Sequence, residues 1–141
     1  MKAKIGTYLL PILTMLILGA FQVQHPETLI GAWKLKSLTA EYPKTMSGKS
    51  KSAAEADIKD LTGRLKKTTF VFSKDGYLSY LGHKGKWVMS NDGKTVDFID
   101  DAKEKTVASI IKLSADQLIF TRVDDGISQT FCLAKYVKEI H

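Results

Sequence analysis

Residues 68–100 read TTFVFSKDGYLSYLGHKGKWVMSNDGKTVDFID, and this stretch decides the fold. Short runs rich in valine, phenylalanine, tyrosine, tryptophan and threonine alternate there with turn-forming residues at a spacing of roughly ten residues. Two of the turns contain Asp-Gly, at Gly76 and Gly93. Glycine suits a tight hairpin turn because it reaches positive φ without a Cβ clash. The stretch therefore predicts antiparallel strands joined by hairpins.

The same pattern continues to the end of the chain, and one further strand precedes it. The predicted strands are Ala32–Thr39, Thr68–Ser73, Tyr77–Leu81, Gly85–Ser90, Thr95–Asp100, Thr106–Leu113, Leu118–Val123 and Ser128–Val137. Eight meandering strands without a second helical layer must hide their edges, and closing the sheet on itself is the simplest way. We therefore expect an all-β protein, an eight-stranded up-and-down antiparallel barrel or half-barrel.

The connection from Ala40 to Lys67 departs from this meander, because its second half predicts one short helix between strands 1 and 2. Ser52-Ala53-Ala54-Glu55 has the form of a capping box, which marks a helix start. Apolar residues then follow at helical spacing, at Ala54, Ile58, Leu61 and Leu65. Two interpretations are open: a plug that seals one barrel end, or a mobile lid formed by Ile58, Leu61 and Leu65 over a ligand entrance.

The first twenty residues differ from the rest of the chain. Lys2 and Lys4 precede a nearly uncharged run from Ile5 to Phe21, which predicts a secretory signal peptide over residues 1–20. An uncleaved anchor is the alternative, because the run approaches the roughly 17 residues that can just span a bilayer. We expect an exported protein, periplasmic or secreted, that meets a membrane only through this segment if it is uncleaved.

Composition predicts one globular domain, which we place at residues 29–138. The chain has 141 residues, of which 44% are hydrophobic and 26% charged, with a net charge of +6. The lysines are spread along the chain and mostly alternate with apolar residues, as on the solvated face of a sheet. A nucleic-acid-binding surface would instead concentrate them in one patch, so we expect no nucleic-acid partner.

The sequence contains no recognisable set of catalytic or metal-binding residues. His25, His83 and His141 are too widely separated to form a motif with metal-ligand spacing. Cys132 is the only cysteine, so an internal disulfide is impossible and a small buried strand residue is the expected role. We therefore expect a protein that is not an enzyme, with no catalytic residues, no metal and no cofactor.

Two segments share a Gly-x-Trp pattern, Gly31-Ala32-Trp33 in the first strand and Gly85-Lys86-Trp87 in the fourth. Together with Phe-Ser-Lys-Asp-Gly-Tyr near residue 75 and Ile-Ile-Lys-Leu-Ser-Ala-Asp-Gln-Leu at 110–118, they resemble the bacterial lipocalin-like domain proteins, within the wider lipocalin and fatty-acid-binding (calycin) group. The resemblance covers about residues 29–137. The chain departs from secreted lipocalins in lacking their disulfide, and its helix between strands 1 and 2 looks more like the lid of fatty-acid-binding proteins.

The resemblance implies that the first-strand tryptophan closes one end of the barrel under a basic side chain from a late strand. Gly31 and Trp33 would form this closed end. Arg122 is the candidate for the basic residue, because it shares strand parity with Leu118 and Phe120. A guanidinium over an indole contributes roughly 0.5 to 2 kcal/mol.

One face of each strand would line the barrel interior. The candidate lining residues are Phe70, Phe72, Tyr77, Leu81, Trp87, Met89, Val96, Phe98, Ile111 and Leu113. They are mostly large and apolar, so a ligand would be lipid-like or aromatic. The same set would also make an ordinary filled core. The leading hypothesis is a module that binds a small hydrophobic molecule inside its barrel; the alternative is a structural or protein-interaction module of the cell envelope with a filled barrel and no ligand.

Overall fold

The computed structural model describes residues 25–138, so the predicted signal peptide at 1–20 lies outside the described residues. Its elements in chain order are α1 (Pro26–Leu29), β1 (Gly31–Glu41), α2 (Gly48–Lys66), β2 (Phe70–Phe72), β3 (Tyr77–Tyr80), β4 (His83–Met89), β5 (Thr95–Ile99), β6 (Lys105–Leu113), β7 (Gln117–Asp124) and β8 (Ile127–Lys135). Among these residues, no helix combines the length and the apolar character needed to cross a membrane.

The eight strands form a closed antiparallel barrel in which each strand pairs with its neighbours in the sequence. The barrel closes where β1 pairs with β8, from Trp33 opposite Lys135 to Glu41 opposite Ser128. The predicted all-β, up-and-down barrel is thus confirmed, including one helix between β1 and β2. Of the two forms expected from the sequence, the structure has the full barrel.

The two ends of the barrel differ in what covers them. We call the end where β1 begins, at Gly31 and Trp33, the floor, and the end where β1 finishes, at Glu41, the mouth. Because α2 connects the end of β1 to the start of β2, both of its attachment points lie at the mouth. We therefore expect a ligand entrance at the mouth.

A packed core fills the floor half of the barrel. Trp33 is 0% exposed, and it is surrounded by other buried apolar side chains of the same layer. These are Leu35, Met89, Val96, Leu113, Leu118 and Leu133. Burying these side chains stabilises the barrel by removing apolar surface from water. The floor half therefore supplies much of the stability of the domain.

A β-bulge in β6 corrects one sequence prediction. The β6–β7 register shifts between Ile110 and Lys112, so Ile111 is the extra residue of the bulge. Its side chain is 63% exposed, and Ile111 therefore does not line the interior as predicted. The bulge reverses the alternation along β6: Ala108 and Ile110 face inward before it, and Leu113 faces inward after it.

Helix α2 is longer than the capping-box pattern indicates. It begins at Gly48, with Ser47 as its N-cap residue in an extended conformation, and ends at Lys66. Ser52 consequently lies inside the helix, so the prediction that it caps the first turn is wrong. The residues before it, Lys49 to Lys51, are compatible with helix and extend it by more than a turn.

Candidate ligand-binding site

A cavity of about 520 Å³ lies at the mouth end of the barrel. Its apolar wall is formed by Leu61, Leu65, Phe70, Phe72, Leu78, Tyr80, Phe98, Phe120 and Phe131. Exposed charged residues surround its opening, among them Lys84 and Lys86 on β4 and Asp100, Asp101 and Glu104 on or next to the β5–β6 turn. The interior is therefore filled in its floor half and hollow in its mouth half.

Aromatic rings from four strands make up the base of the cavity. Phe98 of β5 lies between Phe72 of β2 and Phe120 of β7, with ring centroids 6.3 and 5.6 Å apart. Phe120 stacks in turn on Phe131 of β8, at 4.7 Å with an interplanar angle of 9°. Rings at these separations pack favourably by offset or tilted contact. They give the cavity a broad aromatic surface.

The roof of the cavity comes from one face of α2. Leu65 is 3% exposed and belongs to the core, while Leu61 and Ile58 are half-buried and pack against it. Leu61 and Leu65 line the cavity directly, and Ile58 does not. Most of the remaining helix is polar and exposed. A helix attached by one apolar stripe to the mouth of a barrel covers the cavity over part of its opening.

One charged side chain lies in the wall of the cavity. Arg122 of β7 stands directly opposite Gln129 of β8, and its Nε donates a hydrogen bond to Gln129 Oε1 at 2.9 Å. The guanidinium carbon is 5.0 Å from the centre of the Phe131 ring, within the range of a cation–π contact. Gln129 is 3% exposed and is the buried polar residue of this part of the barrel.

The position of Arg122 overturns its predicted role at the floor. The basic side chain over Trp33 is instead Lys135, whose Nζ lies 4.5 Å from the indole and donates a hydrogen bond to Ile30 O at 2.6 Å. The cause is register: Lys135 is the residue of β8 opposite Trp33, whereas Arg122 lies near the mouth end of β7. Partial burial lowers the pKa of Lys135, since the charged ammonium loses some of its hydration.

Trp33 and Gly31 both lie next to the side chain of Lys135. The Trp33 Nε1 donates a hydrogen bond to Leu29 O at 2.8 Å, so the indole is fixed to α1. Gly31 has φ of +130°, and a Cβ there would stand 2.6 Å from the Lys135 Nζ. Glycine at position 31 therefore gives the ammonium its space above Trp33.

Seven of the ten predicted lining residues separate into two groups. Phe70, Phe72 and Phe98 line the cavity. Trp87, Met89, Val96 and Leu113 are buried but do not line it, because they lie in the packed layer below. Strand parity identifies inward-facing residues but carries no information on how high along the barrel each one lies.

Tyr77 and Leu81 were predicted to line the interior, and the structure corrects both. Leu78 is the buried residue of β3 and pairs with Phe72, so Tyr77 faces the outside, where the Lys84 Nζ lies 4.2 Å from its ring. Leu81 lies in the turn after β3 with φ of 49° and is not part of the cavity wall. The polar Ser79, which shares the parity of Tyr77, was the signal that this face is outside.

Several cavity residues were missed by the sequence prediction, among them Leu78, Tyr80, Phe120, Arg122 and Phe131. Leu78 and Tyr80 follow from the parity error in β3. Phe120 and Arg122 were recognised as sharing one face of their strand, but Arg122 was assigned to the floor. An alternation of Ile127, Gln129, Phe131 and Leu133 in β8 could have identified Phe131 as inward-facing.

Within residues 25–138, no group of three or more histidine, cysteine, aspartate or glutamate side chains is arranged to hold a metal ion. Cys132 is half-buried, and its Sγ accepts a 3.7 Å hydrogen bond from the Gln117 side chain. The cavity wall brings together rings, aliphatic side chains and one guanidinium, which is a set suited to binding.

Comparison with known proteins finds similarity among solved structures alone. No protein-family model and no curated protein matches the sequence. Solved structures with similarity include bovine odorant-binding protein in complex with a selenium-containing odorant, at 18% identity over 84% of this chain and 76% of that chain, with a TM-score of 0.45. The same bovine protein with its natural ligand gives 18% identity, 84% and 77% coverage and a TM-score of 0.44. The closed barrel follows from the pairing of its eight strands.

Proposed function

We propose that this chain is an exported binding protein that holds a small hydrophobic molecule in the mouth cavity, with α2 as its lid. The observation that carries the proposal is the cavity itself, whose volume of about 520 Å³ lies within the range of about 300 to 1,000 Å³ typical of ligand pockets. An aromatic base and a leucine roof would remove from water those parts of an apolar ligand that they contact. The export part of the proposal rests on the sequence of residues 1–20.

The alternative, an envelope interaction module with a filled barrel, loses support because it requires an interior that side chains occupy completely. The mouth half of this barrel is hollow. The binding role also needs no catalytic step, in keeping with the expectation that the protein is not an enzyme.

A pair of tryptophan variants on one strand tests the proposal. Thr106 lines the cavity on β6, while the next residue, Val107, is 50% exposed on the outside. Thr106→Trp would fill part of the cavity, whereas Val107→Trp adds the same side chain to the outer surface. Binding is measured by the fluorescence of N-phenylnaphthylamine, a neutral apolar probe, and folding by thermal unfolding followed by circular dichroism.

We expect the native protein to bind the probe, Thr106→Trp to bind it about tenfold more weakly or worse, and Val107→Trp to bind within about twofold of native. Probe binding that is equal in the two variants would place the ligand outside the barrel. Native mass spectrometry and lipid extraction of protein purified from its own source provide the second measurement. Repeated recovery of the empty chain, without probe binding, would refute the proposal.

A further inference from the structure

The outer surface of the barrel carries its charges unevenly. We call the outward-facing side chains within residues 107–111, 117–123 and 128–134, on β6, β7 and β8, the uncharged face, because none of them carries a charge. Arg122 lies within these ranges but faces the cavity. A well-solvated surface is roughly 25–35% charged, so about three charges would be usual among these eleven outward positions. Across the barrel, by contrast, β4 carries exposed lysines such as Lys86.

Strand pairing arranges the uncharged face in rows that run across the strands. Thr121 of β7 stands opposite Thr130 of β8, and Ile119 stands opposite Cys132, so short or apolar side chains make up its middle. Apolar side chains are also exposed around this middle, as in Val123, which is 67% exposed. The centres of protein interfaces are depleted of charged residues in the same way. An uncharged surface with exposed apolar side chains is therefore a candidate contact site for another protein.

Strand β1 borders the uncharged face and carries opposite charges at its two ends. Lys34 stands opposite Ala134 in the row nearest the floor, and Glu41 stands opposite Ser128 in the row nearest the mouth. Lys36, at the bulge of β1, adds a second exposed positive charge to the floor end. Within residues 25–138, neither Lys34 nor Glu41 forms an ion pair. The border is thus positive toward the floor and negative toward the mouth.

We infer that the uncharged face packs against the same face of a second copy of this chain, about a twofold axis that runs across the strands. Such an axis exchanges the first and the last rows, so the floor end of each copy lies over the mouth end of the other. Lys34 of one copy then faces the partner's Glu41, and the symmetry forms this pair twice. The inference goes beyond the proposed function and does not depend on it.

The border charges select this axis over the alternative. An axis parallel to the strands would place floor over floor and β1 over β6. Lys112 of β6 stands opposite Ile119, in the same row as the β1 bulge at Lys36. Lys36 would then lie over the partner's Lys112, and like charges that face each other across an interface disfavour the contact. The axis across the strands avoids this repulsion and also leaves the two mouths pointing in opposite directions, with both cavities accessible.

The size of the contact predicts a weak dimer. With strands about 4.8 Å apart and outward residues about 6.8 Å apart along each strand, four rows on β6, β7, β8 and β1 cover about 500 Å². Two copies would bury about 1,000 Å², which is near the lower limit for a specific interface. A barrel wall is convex, so the contact is centred on β7 and β8. Lys34 and Glu41, at the border, have side chains long enough to reach the other copy.

The test is sedimentation velocity of protein expressed from the full chain, at concentrations from about 1 to 500 μM, which bracket a weak dimer. Lys34→Glu and Glu41→Lys each place like charges opposite one another, and the double variant restores opposite charges. Lys86→Glu is the matched control, because it makes the same charge change at an exposed position of β4, outside the uncharged face.

We expect the native protein to dimerise with a micromolar Kd, each single variant to bind itself about tenfold more weakly, and the double variant to lie within about threefold of native. Lys86→Glu should lie within about twofold of native. Thermal unfolding checks each variant, because the Lys34 Nζ also lies 5.4 Å from the centre of the Tyr136 ring. Lys36→Glu replaces Lys34→Glu, alone and in the double variant, if the latter does not fold.

A second measurement locates the contact on the uncharged face. Cys132 lies in the middle of this face and is the only cysteine of the chain. N-ethylmaleimide should therefore label Cys132 more slowly as the protein concentration rises through the Kd of the dimer, because the second copy covers the thiol.

Four results would overturn the inference. A native protein that stays monomeric at every concentration would show that the uncharged face does not bind a second copy. Equal weakening by Lys34→Glu and Lys86→Glu would show that net charge, and not contact, sets the affinity. A double variant as weak as the single variants would exclude the axis across the strands. A dimer in which the labelling rate of Cys132 does not depend on concentration would place the contact elsewhere on the molecule.

Discussion

Replacing Trp33 with alanine should lower the free energy of unfolding by about 3 to 5 kcal/mol. The indole is 0% exposed at the floor of the barrel. Burial of a side chain of this size removes about 150 to 250 Å² from water, which is worth about 4 to 6 kcal/mol before the burial of the alanine methyl group is subtracted. The change also removes the hydrogen bond to Leu29 O, whose net contribution is about 1 kcal/mol.

The assay is equilibrium unfolding in urea, followed by far-ultraviolet circular dichroism, because fluorescence would change with the loss of a tryptophan. Trp33→Phe is the graded variant: it keeps an aromatic ring under Lys135 and loses the N–H donor, so it should be destabilised by less than the alanine variant. Val88→Ala is the control, since Val88 is 54% exposed on β4 and should change stability by less than about 0.5 kcal/mol.

A loss below about 1 kcal/mol for Trp33→Ala, with an unchanged dependence on urea, would refute the assignment of Trp33 to a packed floor. Such a result would mean that the neighbouring layer closes over the space or that the indole is not buried in solution. Domains have about 5 to 15 kcal/mol in total, so Trp33→Phe supplies the measurement if the native value lies at the lower end and the alanine variant does not fold.

Two further predictions concern Lys135 and the lid. Burial lowers the pKa of Lys135 below its ordinary 10.5, so the folded protein releases this proton at a lower pH than the unfolded chain does. Between the folded and the unfolded pKa, the unfolded chain binds more protons. The contribution of Lys135 to the free energy of unfolding therefore rises with pH in that range. The native protein should therefore gain stability relative to Lys135→Met as the pH rises toward 10.5. Urea titrations at several pH values measure this difference in unfolding free energy, and a flat or falling difference would contradict the prediction. For the lid, Leu61→Ala should weaken binding of N-phenylnaphthylamine about threefold to tenfold, because apolar contact with the probe is lost. Lys59→Ala, on the exposed face of α2, should leave the affinity unchanged. Equal affinities of the two variants in fluorescence titration would show that α2 does not cover the ligand.

The barrel could be predicted from sequence because its signals are local. Turn residues such as Gly76 and Gly93 and the alternation of apolar residues mark hairpins within a few neighbours. Seven hairpin-linked strands, with one more strand before them, leave closure as the simplest architecture. The helix in the β1–β2 connection was predicted for the same reason. Its start was misplaced because the capping-box pattern at Ser52 also fits the interior of a helix, and Ser47 makes no side-chain cap hydrogen bond that a motif could reveal.

The candidate site was predicted less well because it depends on relations between distant strands. The choice between Arg122 and Lys135 as partner of Trp33 requires the register of β8 against β1, which alternation within one strand does not specify. Ile111 was misassigned because a bulge changes parity within a strand without a distinctive residue to mark it. The boundary between the filled floor half and the hollow mouth half was also not predictable, because it depends on the height of each side chain along the barrel.

The seam between β1 and β8 also sets how this chain can fold. The hydrogen bond from Lys135 to Ile30 joins residues 105 apart, and the whole β1–β8 ladder has a similar separation. Seven of the eight strand pairs can form between neighbours in the sequence, but the last requires the ends of the domain to meet, which carries the largest loop-closure entropy. High contact order of this kind is associated with folding in milliseconds to seconds, and until the seam forms, β1 and β8 are both unpaired edges able to join another chain. Closure of the β1–β8 seam therefore removes the two edges through which a folding chain could pair with another copy.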